Sequence, residues 1–195
     1  LSSDFNDTSS FARVMAQEMK ALTGYDRVMI YQFRPGFHGH VVAEALEEDM
    51  EPFLGLHYPA SDIPAQAREL YRTKLVRAVC DVDATPSRIV PALDRDGTPL
   101  DLGQSHLRSL SPVHIQYLKN MGVRSSLSVS LVVGDKLWGL ILCHHRTPRF
   151  VSYALRSTAR LYGTVMAALM GARRDNLNKE RGCAAQGRPI ALLTG

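Results

Sequence analysis

The 195-residue chain is 45% hydrophobic and 22% charged, which suits one domain with a sizeable core, or a domain with tails. Near-average composition excludes collagen-like, largely disordered and disulfide-scaffold classes, and no apolar run nears the ~20 residues that cross a bilayer. The net charge is +4, yet Arg173, Arg174, Lys179, Arg181 and Arg188 lie beyond Gly171 against only Asp175 and Glu180. The body is therefore close to neutral and makes a poor nucleic-acid face.

Leu1 to Ser10 has neither a basic n-region nor an apolar h-region, so no secretory signal is expected. The missing initiator methionine points to a fragment or a processed chain. Cys80 and Cys143 sit in apolar runs, where a free thiol acts as a small buried hydrophobe. With Cys183 they form no C-x-x-C pair, and a reducing, cytoplasmic setting is expected.

Phe11, Val14, Met15, Met19 and Leu22 recur at helical spacing behind Thr8, Ser9 and Ser10 and ahead of Gly24. They predict a helix over 9–22 after a flexible stretch 1–8. Residues 26–33 are rich in β-formers, Arg34-Pro35-Gly36 turns, and 40–46 returns as a second strand. Residues 59–75 read as an irregular loop entering a helix, with Asp62 as N-cap and Pro64 in the first turn. A short strand over 75–82 is followed by a long loop, 83–104, of the kind that is usually functional or mobile. Pro112 to Met121 is a short helix ended by Gly122.

The strongest β signal is Ser126-Leu127-Ser128-Val129-Ser130-Leu131, which alternates strictly, turns at Gly134-Asp135 and returns over 136–145. A two-residue turn sets Ser126 opposite Cys143; an odd-length loop sets it opposite His144. A last helix starts near Tyr153 with Leu155, Tyr162 and Leu169 on one stripe, and its pattern dissolves from Arg173 into Gly182, Gly187 and Pro189. Hairpins with helices at both ends predict an α+β fold, an antiparallel sheet covered on one face by the terminal helices.

Enzyme signatures are missing. His38 and His40 need a third metal ligand that the sequence does not nominate. Asp101, Ser111 and His114 can be drawn as a triad, but nothing sets their geometry. No G-x-S-x-G, H-E-x-x-H or phosphate-cradling loop occurs. Residues 105–114 are more suggestive, with two imidazoles, a guanidinium and three hydroxyls at the mouth of a helix. The serine face of 126–130 either meets solvent, which alternation alone favours, or lines a polar pocket. His144-His145 adds polar groups at the end of an apolar strand. Together these residues suggest a pocket for a large, mainly apolar ligand with anionic groups.

Tyr58-Pro-Ala-Ser-Asp-Ile-Pro64 with Gln66-Ala-Arg-Glu-Leu-Tyr71 resembles the P-A-S-D-I-P signature of phytochrome GAF domains. Leu107-Arg-Ser-Leu-Ser-Pro-Val-His114 with Tyr117-Leu-Lys-Asn-Met-Gly-Val123 is similar to the chromophore helix of bacteriophytochromes. Thr23-Gly-Tyr-Asp-Arg-Val-Met29 and Leu137-Trp-Gly-Leu-Ile-Leu-Cys-His-His145 match the same family's first strand and last hairpin. Four motifs in order cover about residues 8–172. The resemblance implies a GAF domain over 9–172, with the bilin pocket on the sheet face opposite the terminal helices and a basic tail or linker helix over 173–195.

The resemblance also implies a ligand, biliverdin, whose double-bond isomerisation under red or far-red light is the switch. In that family the backbone carbonyl at Asp62 accepts from pyrrole N–H groups, with a water and His114 completing the network. Arg77 and Arg108 match the propionate-binding arginines, to which Ser126 and Ser128 add hydroxyls. His144 matches the histidine that bonds the outermost ring, and Met29, Tyr31, Phe53, Tyr58, Ile63 and Tyr71 match that ring's apolar wall. Pro64 and Ser111 fall within the matched motifs and belong to the expected site. Plant and cyanobacterial members attach the bilin through a cysteine where this chain has Val113. Bacteriophytochromes use a cysteine ahead of a PAS domain, and a PHY domain follows the GAF domain; these 195 residues hold neither. Non-covalent binding, a sensory rather than enzymatic role, partnership with PAS and PHY domains and a homodimer through the terminal helices are the corresponding expectations. A chromophore-free GAF module for dimerisation or small-molecule sensing is the alternative.

Overall fold

The computed structural model describes residues 2–186 except 104, 106 and 107, with side chains described over 9–179. In chain order the elements are α1 (Ser2–Thr23), β1 (Arg27–Phe33), β2 (Gly39–Leu46), β3 (His57–Tyr58), α2 (Ala65–Thr73), β4 (Val76–Val79), α3 (Pro112–Asn120), β5 (Ser125–Val133), β6 (Lys136–His145) and α4 (Tyr153–Gln186). The six strands form one antiparallel sheet in the order β3-β2-β1-β6-β5-β4.

Strand alternation divides the sheet into two chemically different faces. On one face Val28, Ile30, Leu127, Val129, Leu131, Ile141 and Cys143 pack against Ala12, Met15, Ala16 and Met19 of α1 and Ala159 and Ala167 of α4. Met15 and Met19 are fully buried, each contributing about 1.5–3 kcal/mol through burial. α4 comes so close to β5 that a Cβ on Gly163 would stand 2.5 Å from Val129 Cγ1. The other face carries Met29, Tyr31 and Leu140, against which Tyr58, Ile63 and Tyr71 pack. It leaves room above itself that α2, α3 and residues 108–111 enclose.

Several expectations are corrected. α1 begins at Ser2, so the helix starts seven residues earlier than the expected residue 9. α2 is capped by Pro64, whose extended backbone (φ −64, ψ 163) precedes Ala65, with no side-chain cap bond. Asp62 is therefore not the N-cap. β4 is shorter than the strand expected over 75–82. α4 does not dissolve at Arg173 but runs to Gln186 through Gly182, because one glycine costs a helix only about 1 kcal/mol. The side chain of Cys183 and residues 187–195 lie outside the described residues.

The β5–β6 hairpin combines both registers considered from sequence. Val133 pairs with Lys136 across a two-residue turn, but a bulge between Leu131 and Val132 shifts the ladder, so Ser126 faces His144. A bulge inserts one unpaired residue and thereby moves every later pair. The serine face does not meet solvent: Ser126, Ser128 and Ser130 are all buried.

Candidate functional site

A cavity of about 990 Å³ lies above this second face, at the upper end of the range for small-molecule sites. Its floor is the pocket-facing row of the sheet, Met29 and Tyr31 from β1, Ser126 and Ser128 from β5, and Leu142 and His144 from β6. Tyr58, Asp62, Ile63, Pro64 and Tyr71 wall one side; Arg108, Ser111 and His114 wall another, with Arg77 entering from β4. The Tyr31 ring can lie flat on β2 because Gly39 has no side chain; a Cβ there would fall 1.7 Å from the ring.

Of the residues expected at the site, Phe53 stands outside this lining. Its ring packs against the same apolar cluster from behind, with the Arg27 guanidinium 3.7 Å over it. Val41, Tyr117 and Leu142 line the cavity without having been singled out. Tyr117 was findable, since three residues after His114 on a helix it shares that residue's face; the two rings lie 6.3 Å apart and nearly parallel.

The electrostatics are lopsided. Arg77 and Arg108 both line the cavity, and among the described residues neither makes an ion pair with a carboxylate. Burial depresses the Arg77 pKa below the usual guanidinium value; Tyr71 opposes this, and Arg108 adds to it. Arg108 Nη1 instead donates to the carbonyls of Gly103 (2.8 Å) and Ser105 (3.4 Å), which holds those two residues at the cavity rim. Ser128 Oγ reaches the Arg77 carbonyl at 3.5 Å and Ser130 Oγ the Tyr71 carbonyl at 2.6 Å, so the serine row fixes β4 and the end of α2.

The imidazoles are held neutral. His114 is pushed below its ordinary pKa, first by burial and then by Arg77. His144, 4% exposed, is pushed down to about 3 by burial, then by Arg27 and His114. Its Nδ1 has no hydrogen-bond partner. Tyr31 is pushed up to about 12, mainly by burial and then by Asp62, so it stays a neutral hydroxyl.

Among the described residues, the triad and the histidine cluster considered from sequence do not assemble. Ser111 Oγ accepts the His114 backbone N–H at 3.2 Å and caps α3, while Asp101 Oδ1 accepts from Gly103 N at 2.7 Å. His57 comes opposite His40, but the rings stack at 4.2 Å and 9°, with Arg34 Nη2 3.0 Å from His40 Nδ1. Among the described residues no group of three His, Cys, Asp or Glu side chains is arranged to hold a metal.

The GAF domain family matches residues 7–170. The chain belongs to that family. This GAF domain is 49% identical over 166 residues, 85% of the chain, to a bacteriophytochrome of Pseudomonas aeruginosa. It is 44% identical over 174 residues to cyanobacterial phytochrome B of Nostoc and 45% identical over 154 residues to phytochrome E of Arabidopsis thaliana. It spans 23% of the length of the first two relatives and 14% of the third. Among solved structures it superposes on the chromophore-binding domain of an unusual bacteriophytochrome from R. palustris, with a TM-score of 0.82 and 40% identity over 86% of this chain and 57% of the other. The chromophore-binding domain of a Stigmatella aurantiaca bacteriophytochrome gives a TM-score of 0.79 at 48% identity, over 83% of this chain and 53% of the other. The GAF domain's strong similarity is therefore to bacteriophytochromes and phytochromes. Among its described residues no helix is long and apolar enough to cross a membrane.

Proposed function

We propose that this GAF domain binds a linear tetrapyrrole, biliverdin, in the 990 Å³ cavity and serves as the red/far-red light-sensing module of a longer phytochrome chain. The observation that carries this is the pair Arg77 and Arg108, two cations that make no ion pair among the described residues, on a wall of a cavity otherwise rich in aromatic and aliphatic surface. Such a wall asks for a flat apolar ligand ending in carboxylates, and a guanidinium binds a carboxylate bidentately. The bacteriophytochrome names among the relatives favour biliverdin over other bilins.

Within that reading Arg77 and Arg108 hold the propionates, with Ser126 and Ser128 alongside. The Asp62 carbonyl and His114 meet the pyrrole N–H groups, which would otherwise be buried unpaired. His144 meets the outermost ring, and Met29, Tyr31, Tyr58, Ile63 and Tyr71 exclude water around it, with Phe53 supporting them from behind. When bound, the tetrapyrrole supplies the visible absorption and the isomerisable double bond. Within these 195 residues alone binding is non-covalent, since Val113 offers no nucleophile and burial pushes the Cys143 thiol far above its usual range. PAS and PHY domains are the partners in the parent chain. Leu161, Val165 and Leu169, exposed at four-residue spacing on α4, suit pairing with a second copy.

Mixing the purified protein with biliverdin tests the reading. A sharpened, red-shifted absorption band that changes reversibly on red and far-red illumination is expected; the spectrum of free biliverdin, unchanged, would leave the chromophore-free alternative standing.

A further inference from the structure

Beside the larger cavity lies a second one of about 240 Å³, bounded by residues 49–51, Phe53, the Met121–Val123 turn and the end of β6. Among the described residues His144 and Met121 alone line both, so these two side chains form the partition.

The smaller chamber has a specific polar lining. Arg27 stands directly opposite His144 in the β1–β6 register and lies 3.0 Å from Glu44 Oε1 in an ion pair whose side chains are at most 3% exposed. The Arg27 Nη2 donates to the Glu51 carbonyl. His145 Nδ1 lies 2.9 Å from Asp26, and Arg146 bonds both Asp26 and Asp49. The cationic groups facing the chamber, Arg27 and Arg146, each already have a carboxylate partner, which argues against a site for an anion. By hydrogen-bond geometry Arg27 Nε, Glu44 Oε1, His145 Nδ1 and His144 Nδ1 are all buried without a partner; the first three have an oppositely charged group within 3.0 Å, which leaves His144 Nδ1 unmatched.

A buried polar nitrogen beside a polar space of this size is where ordered water sits. The guanidinium of Arg27 can only donate. A water shared by Arg27 and His144 must therefore accept from the guanidinium. Polarised by that cation it is a strong donor, and a lone pair on Nδ1 is better placed toward it than an N–H directed at a positive charge. The water therefore turns a hydrogen toward the imidazole. A neutral imidazole carries one N–H, and the hydrogen bond made by one nitrogen decides where that hydrogen resides. We propose that the 240 Å³ chamber is a hydration site whose ordered water bridges Arg27 and His144 Nδ1 and fixes His144 as the Nε2–H tautomer. The ring then presents one defined N–H donor to whatever fills the larger cavity, and Arg27 acts as a positioning residue through the water. This concerns the protein's own imidazole and holds whether or not the larger cavity takes a tetrapyrrole.

Nitrogen-15 NMR of histidine-labelled, ligand-free protein, with His144 assigned through His144→Gln, reads the tautomer directly. The expected result is a proton-bearing Nε2 and an acceptor-type Nδ1. In Met50→Trp, whose indole fills the chamber from its exposed loop, that pattern should be lost or mixed. A proton on Nδ1 in the parent protein, or an unchanged Nε2–H pattern in folded Met50→Trp, would overturn the proposal. Should Met50→Trp not fold, a high-resolution crystal structure of the parent protein decides: a water within hydrogen-bond distance of both Arg27 and His144 Nδ1 is expected, and a chamber without one refutes the inference.

Discussion

Replacing Arg77 by methionine keeps the aliphatic stem and removes the guanidinium, and its effects on binding and on stability should have opposite signs. Arg77 is half-buried, makes no ion pair among the described residues and is further destabilised as a cation by Arg108. The ligand-free protein bears that desolvation without compensation, so Arg77→Met should leave its unfolding midpoint in urea unchanged or raise it. Binding should weaken, because a hydrogen bond to a charged group contributes about 1.5–3 kcal/mol, or roughly a 10- to 150-fold rise in Kd. Absorbance titration with biliverdin measures the second effect, and urea unfolding of the ligand-free protein measures the first. A variant that binds as the parent does, or that loses stability in the absence of ligand, would refute the assignment of Arg77 as an anion anchor.

Other consequences are equally specific. Because the folded-state pKa of His144 is depressed to about 3, the unfolded chain binds a proton below about pH 6.5 that the folded chain does not. Stability should therefore fall by about 2 kcal/mol between pH 6.5 and 5, and His144→Gln should flatten that part of the urea-midpoint profile; an identical profile would contradict the burial assigned to the ring. Gly163→Val would drive a side chain into Val129, 2.5 Å from the built Cβ, and should lower stability by about 1–3 kcal/mol, which thermal unfolding would register; an unchanged transition would mean that α4 and β5 are further apart. Val113 is 81% exposed and lines the cavity, so Val113→Cys should create a covalent adduct with a vinyl-bearing bilin. Zinc-induced fluorescence after denaturing electrophoresis checks it, with a fluorescent band expected from the variant and none from the parent.

The helix-covered face was legible because its signals are local: the stripe Met15, Met19 and the alternation Leu127, Val129, Leu131 follow directly from helix and strand periods. The cavity face was harder. Alternation marks Ser126, Ser128 and Ser130 as one row but is the same whether that row meets bulk water or a space closed by α2 and α3. Only the tertiary arrangement buries it. The pairing of Ser126 with His144 depends on a bulge near Trp138 that no turn-length rule reveals. Asp62 looked like a cap by residue type, while Pro64 took the position through its fixed backbone. Phe53 has the same chemistry as the wall residues, yet Arg27 holds it on the far side. Most cavity residues were found through the motifs they sit in, because their convergence from β1, β4, α2, α3, β5 and β6 is not written in any local period.

The most direct test compares biliverdin with its dimethyl ester in absorbance titrations of the same protein preparation. The two ligands share the tetrapyrrole and differ in the carboxylates that Arg77 and Arg108, both in the cavity lining, are proposed to receive. The free acid should bind with a sharpened, red-shifted band, and the ester at least tenfold more weakly, the loss of a single charged hydrogen bond being worth about that much. Equal affinity for acid and ester, or binding of neither, would contradict the claim that this cavity holds a tetrapyrrole by its propionates.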